Sequence, residues 1–177
     1  MAVLGHFLFE ILKIVLLGLI YTALIFLVWV IISKLRKKNF DFKWYKFLVV
    51  YKVLAAVLFI FSFTYYGNHG LGDDSYVPLG HGETMSQGDS FAYFVPDGKS
   101  NQIHIDTYLV KEDHLCASVD SGYMVYNLKN KRLNNFNTEL LYNTYASAHN
   151  LPAANQFREF EPQYADYWGG WRFWMLP

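Results

Sequence analysis

Residues 14–32, IVLLGLIYTALIFLVWVII, run for nineteen positions without a charged side chain. As an α-helix this stretch is about 28 Å long, close to the roughly 30 Å of a bilayer's hydrocarbon core. A helix of a soluble protein rarely stays apolar on every side for so long, because one of its faces normally meets water. The run therefore reads as a transmembrane helix. A cleaved signal peptide would call for a basic leading segment, a shorter apolar core and small residues at a cleavage site. Residues 1–10 contain no Lys or Arg and the run ends in Ile-Ile-Ser-Lys, so the segment is expected to stay as an anchor.

A second apolar stretch covers residues 47–66, FLVVYKVLAAVLFIFSFTYY, interrupted only by Lys52. A lysine in the first turns of such a helix can extend its stem toward the headgroups. An intramembrane ion site would need a carboxylate at similar depth, and neither run contains one. Tyr65 and Tyr66 close the stretch in the manner of interfacial aromatics.

Lys34, Arg36, Lys37, Lys38, Lys43 and Lys46 all fall in the short connection between these runs. Lys and Arg beside membrane helices stay on the cytoplasmic side. The expected topology is a two-helix hairpin with spans at about 11–33 and 47–66 and a cytoplasmic basic loop at 34–46. The amino terminus and everything after residue 66 then lie outside. Phe40, Phe42 and Trp44 alternate with Asp41 and Lys43, as suits a segment on the lipid interface. The basic cluster is read first as a topology signal, and second as a contact for anionic lipid or a cytosolic partner.

The formal net charge of zero hides a division. Residues 1–66 carry eight Lys and Arg against two acids, whereas residues 67–177 carry thirteen acids against seven Lys and Arg. The basic charge sits beside apolar helices and the remainder is acidic, so nucleic acid is not an expected partner. A single cysteine, Cys116, rules out an intrachain disulfide and leaves stability to the hydrophobic core.

Residues 67–88, GNHGLGDDSYVPLGHGETMSQG, read as a Gly/His/Asp-rich juxtamembrane loop. Residues 89–177 then form an exported α+β domain, a small antiparallel β-meander with one helix and an aromatic-rich carboxyl-terminal tail. Strand signals fall at 90–95, 103–110, 115–120 and 123–128, separated by polar turns. In the third, Leu115 and Ala117 alternate against Cys116. Residues 138–150 change to a helical period, with Leu141, Tyr145 and Ala148 on one stripe, Asn137 or Thr138 as cap and Pro152 as terminator. The stretch from 157 onward is expected to be mostly irregular, ending in a strand over 171–175.

Four residues of the glycine-rich loop, His69, Asp73, His81 and Glu83, are types that ligate divalent metals, though their spacing matches no standard motif. His104 and Asp106 lie two apart on a predicted strand and share a face, the arrangement of a carboxylate-oriented imidazole as well as of any wet strand face. Cys116 is read as a structural thiol. Tyr164, Tyr167, Trp168, Trp171, Phe173 and Trp174 crowd into eleven residues. Core filling is the first expectation for them; membrane, protein-partner or sugar contact through Tyr164, Tyr167, Trp168, Trp171 and Trp174 is the alternative.

These features favour a non-enzymatic integral membrane protein with no cofactor. It would present a small acidic periplasmic domain to a protein partner, as an accessory subunit of a membrane complex or as an immunity-type protein facing a toxin. The alternatives are an envelope metal-dependent hydrolase using the His/Asp/Glu loop and a cell-wall glycan binder using the terminal tryptophans. The expected location is a bacterial inner membrane, since the chain has no Asn-x-Ser/Thr site.

Overall fold

The computed structural model describes residues 2–37, 43–71, 73–89, 91–96 and 101–177. Lys38 of the basic cluster, the Phe40–Phe42 part of the interfacial pattern and part of the 96–102 turn lie outside the described residues. The chain divides into two compact units, one of Met1–Asn68 with Trp171–Pro177 and one of His69–Gly170.

The first unit is built on two antiparallel helices. α1 spans Ala2–Leu35 and α2 spans Trp44–Phe61. Both are long and apolar enough to cross a membrane. α1 begins earlier than the sequence reading placed the span, because residues 2–13 contain no proline and extend the helix without a break. At 34 residues it is about 51 Å long. α2 ends earlier than expected. The Ser62 hydroxyl donates to the Phe59 carbonyl and the Thr64 hydroxyl to that of Phe61, both at 2.7 Å, so these side chains close the helix where it was read as continuing to residue 66. The helices approach closely at Gly18, where an added Cβ would lie 3.2 Å from the Tyr51 ring. Phe26 and Phe47 continue the seam with ring centroids 5.3 Å apart.

Among its described residues the second unit contains eight strands in two antiparallel sheets of four, each a simple meander. β1 (Ser75–Gly80), β2 (Glu83–Gly88), β3 (Phe91–Phe94) and β4 (Ile103–Ile105) form one sheet. β5 (Thr107–Lys111), β6 (His114–Val119), β7 (Gly122–Asn127) and β8 (Arg132–Phe136) form the other. The segment read as a juxtamembrane loop thus holds a hairpin. Its turn at His81 and Gly82 has φ of +52° and +80°, the left-handed pair that a tight hairpin turn requires, so the glycines mark a turn between strands. The single predicted strand at 103–110 is also two strands. Ile105 ends the first sheet, Thr107 starts the second, and Asp106 is the whole connection, its N–H bonded to the Ser118 carbonyl.

The sheets share one core. Val77, Met85 and Phe94 from the first pack with Leu115, Ala117, Met124 and Tyr126 from the second. Cys116 and Val125, one residue out of phase, face the opposite way and pack against α3 (Glu139–Ala148). β6 and β7 are therefore covered on both faces. Thr138 caps α3 by accepting from Leu141 N–H. The buried stripe of α3 is Tyr142 and Ala146 rather than the predicted Leu141, Tyr145 and Ala148, and Leu141 is exposed.

The tail is helical. α4 spans Phe160–Trp168 and α5 spans Trp171–Met175. Phe160, Tyr164, Tyr167 and Trp168 recur at helical spacing and turn inward, Phe160 and Trp168 buried and the two tyrosines half-buried against the core. Aromatic richness had masked that period.

Candidate functional site: an acidic groove beside the first sheet

The step at Asp106 opens a groove of about 1050 Å³ between β3, β4 and the start of α4. Three local structures set its walls. First, Arg158 pairs with Tyr108 as an isolated antiparallel bridge, N–H to carbonyl at 2.9 and 3.1 Å, which docks the chain on the edge of β5. Gln163 reinforces that dock by donating from Nε2 to the Tyr108 carbonyl at 2.8 Å. Second, the far end of α4 is tied down by Trp168, whose Nε1–H donates to the Tyr76 carbonyl on β1 at 2.6 Å. Held at both ends, α4 places Glu159 and Glu161 on one side of the groove. Third, His104 on β4, Asp89 just after β2, Asp106 just after β4 and Asp73 ahead of β1 complete the lining.

The lining therefore carries five carboxylates and one imidazole, and no Lys or Arg among the described residues. Like charges gathered in one concave surface between low-dielectric walls produce a focused negative potential. A flexible cationic side chain is the complementary ligand.

At the groove's rim, residues from three chain segments come together. His104 on β4 donates from Nδ1 to Asp120 Oδ1 at 2.9 Å; a carboxylate only accepts, so the proton is on Nδ1. The second imidazole nitrogen of a neutral His104 is then a lone-pair donor. Asp120 lies in the β6–β7 turn, and Ser118 Oγ reaches Asp106 Oδ2 at 3.4 Å. One ligating atom each of His104, Asp106 and Asp120 lie within 4.8 Å of one another. The Phe91 ring meets the imidazole edge-on, with centroids 5.4 Å apart, and fixes its plane. Of the histidine–carboxylate pairing read from sequence, His104 and Asp106 are indeed neighbours. The closer partner, Asp120, arrives through a hairpin turn that residue spacing did not reveal.

The other candidate ligands have separate neighbours. His69 stacks edge-on with Trp168 at 5.5 Å, and its carbonyl accepts from the Tyr164 hydroxyl at 3.3 Å. His81 donates from Nε2 to Asp113 Oδ1 at 2.8 Å. Glu83 is buried and accepts from Lys131 Nζ at 2.6 Å and from the Tyr126 hydroxyl at 3.1 Å. Asp73 joins the groove.

The aromatic cluster divides between the two units. Tyr164, Tyr167 and Trp168 complete the domain core, whereas Trp171 and Trp174 belong to the helical unit and are 60% and 74% exposed. In the basic cluster, Lys34 lies in the last turn of α1 and Lys46 lies 5.5 Å from the Trp29 ring centroid. No family model, curated protein or solved structure matches the chain.

Proposed function

We propose that this chain is a non-enzymatic membrane protein whose two helices anchor an acidic domain, and that the groove between the first sheet and α4 takes up a basic segment of a protein partner. The observation that carries the reading is the groove's charge: Asp73, Asp89, Asp106, Glu159 and Glu161 line it with no cation among the described residues. Exposed carboxylates on a rigid concave surface act chiefly by steering a cationic partner and fixing its register.

Anchoring is supported by the surface of the helices. None of the described residues of α2 is buried, and on α1 Leu12, Leu16, Ile20 and Leu24 are each at least half exposed. Apolar helices uncovered to this degree are soluble in lipid rather than water. The basic connection supports an orientation with that end of the hairpin in the cytoplasm and the acidic domain outside, in a bacterium the periplasm. An accessory subunit of a membrane complex and an immunity-type protein facing a basic toxin both fit this arrangement.

A photo-crosslinking amino acid at Gln87, which lines the groove, tests the reading in cells. One defined protein adduct is expected, lost on Asp89→Lys with Glu161→Lys. A protein that folds and inserts normally yet gives no adduct, or gives one insensitive to both reversals, sinks it.

A second reading rests on the His104, Asp106 and Asp120 trio, whose ligating atoms are close enough to share one divalent ion. It makes the domain a metal-dependent envelope enzyme. Stoichiometric metal in the purified protein, lost with His104→Ala, would favour it over the first.

A further inference from the structure

The carboxyl-terminal segment WRFWMLP contacts the span itself. Gly170, at φ +60°, breaks the chain after α4, and α5 then runs along α1. Two contacts fix the depth. The Lys13 ammonium lies 4.9 Å from the centroid of the Phe173 ring. The Tyr21 hydroxyl donates to the Met175 carbonyl. Lys13 immediately precedes the uncharged run, and Tyr21 lies eight residues further on, about 12 Å along a helix axis. The tail is thus pinned to α1 from Lys13 into the uncharged run that follows it, and Pro177 at its end is fully buried.

What the tail leaves uncovered is large and apolar. Trp171, Phe173, Trp174 and Met175 are 60, 46, 74 and 54% exposed. In water this would be a costly patch on a five-residue helix. On α1 itself Leu12, Leu16 and Ile20 are uncovered to a similar degree. The single charge of the segment, Arg172, sits with its guanidinium 5.1 Å from the Trp171 ring centroid, a pairing at home at headgroup level.

We infer that α5 is a third membrane element: it inserts among the phospholipids of the leaflet at the Lys13 end of α1, with Trp171 and Arg172 at the headgroups and Trp174 and Met175 among the upper acyl carbons. This rests on the anchoring reading above and adds to it that the chain returns to the bilayer at its carboxyl end. The segment then acts as an interfacial lock rather than as a glycan or protein site. Indole rings prefer this boundary because they are amphipathic, and the Tyr21 hydroxyl satisfies a carbonyl that has no water to turn to.

The five tryptophans make the test internal. The full-length protein is labelled with 5-fluorotryptophan and placed in phosphatidylcholine/phosphatidylglycerol nanodiscs, and each ¹⁹F signal is assigned by one Trp→Phe substitution. A lipid with a nitroxide near the top of its acyl chain is then compared with a water-soluble gadolinium chelate. Trp29 serves as the span control, and the buried Trp168 as the domain control. The expected result is that the nitroxide lipid broadens Trp171 and Trp174 several-fold more than Trp168, and that gadolinium broadens Trp174 less than it does Trp171. If Trp29 responds to the lipid and Trp174 does not, the insertion of α5 is overturned while the anchor stands. Gadolinium sensitivity of Trp174 would then mean exposure to water, and insensitivity to both probes would mean cover by protein. If Trp29 fails to respond, the anchor itself falls and the insertion with it. A Tyr21→Phe protein supplies a second reading, since loss of the carbonyl partner is expected to reduce the lipid broadening of Trp174 and leave that of Trp29 unchanged.

Discussion

Lys131 and Glu83 meet at 2.6 Å across the two sheets, the ammonium from the β7–β8 turn and the carboxylate from the first residue of β2. Glu83 is almost wholly buried and Lys131 about two-thirds so, and the Tyr126 hydroxyl donates to the same carboxylate oxygen. Charge pairing of this kind matters chiefly when half of it is removed, because the remaining charge is left in a poorly solvating site. Lys131→Met is expected to cost about 2–3 kcal/mol. Adding Glu83→Gln should recover much of that loss. Thermal unfolding of the full chain in detergent, followed by near-UV circular dichroism, measures both. An unchanged midpoint in the single variant would remove the pair from any account of sheet packing.

The His81–Asp113 contact predicts a pH effect in the acid range. The hydrogen bond from His81 holds the Asp113 carboxyl below the ordinary carboxylate range, with help from the charges of His81, Lys129 and His114. A group whose folded pKa is depressed adds stability above its unfolded value, near 4, and loses it as pH falls through the folded value. Carbon-detected NMR should find Asp113 titrating at lower pH than a free aspartate, and His81→Ala should move it back up.

Cys116 is expected to resist alkylation in the native protein. Burial raises its thiol pKa, opposed by the hydrogen bond it shares with Tyr142 and by the charge of Lys111. The neutral thiol dominates at pH 7, and a thiolate is the reacting species. Since the folded pKa is raised, the contribution to stability is complete below the unfolded value, about 8.5, and is lost as pH rises toward the folded one. Maleimide labelling at pH 7 should be slow in folded protein and fast in denaturant. Rapid labelling of the native state would mean that α3 opens readily.

Gly18 sets the distance between the two long helices. A Cβ there would lie 3.2 Å from the Tyr51 ring and 3.6 Å from the Ala55 Cβ. Small residues at such crossings let helix backbones approach in a membrane, where no hydrophobic force drives them together. Gly18→Ala should be accommodated by a small movement of the tyrosine ring, whereas Gly18→Ile should separate the pair. Oxidative crosslinking of cysteines placed at Phe26 and Phe47, in a Cys116→Ala background, reads the difference. Equal yields in both variants would place the crossing elsewhere.

Much of the architecture was legible in the sequence because its periods were clean. The helical run at 14–32 needed only a count of uncharged positions, and β6 showed its two faces through the alternation of Leu115 and Ala117 against Cys116. The β1–β2 hairpin was hidden because Gly80, Gly82 and His81 look like loop composition, and a hairpin with a left-handed turn uses the same residues. The helical tail was hidden because Trp, Tyr and Phe favour strands as a class, so the spacing of Phe160, Tyr164 and Trp168 had to be weighed above their identity. The acidic groove could not be read at all. Its carboxylates lie as far apart as Asp73 and Glu161, and tertiary contacts such as the Tyr108–Arg158 bridge gather them.

Asp106 leaves no slack between the sheets. A strand slipped by one position exchanges its inward and outward residues, so a deletion at this step, which no loop is there to absorb, would turn Tyr108 out of the core or pull β4 from its sheet. The groove opens at the same joint. Shortening the chain there is accordingly expected to harm the domain more than the loss of any one of the acids that joint brings together.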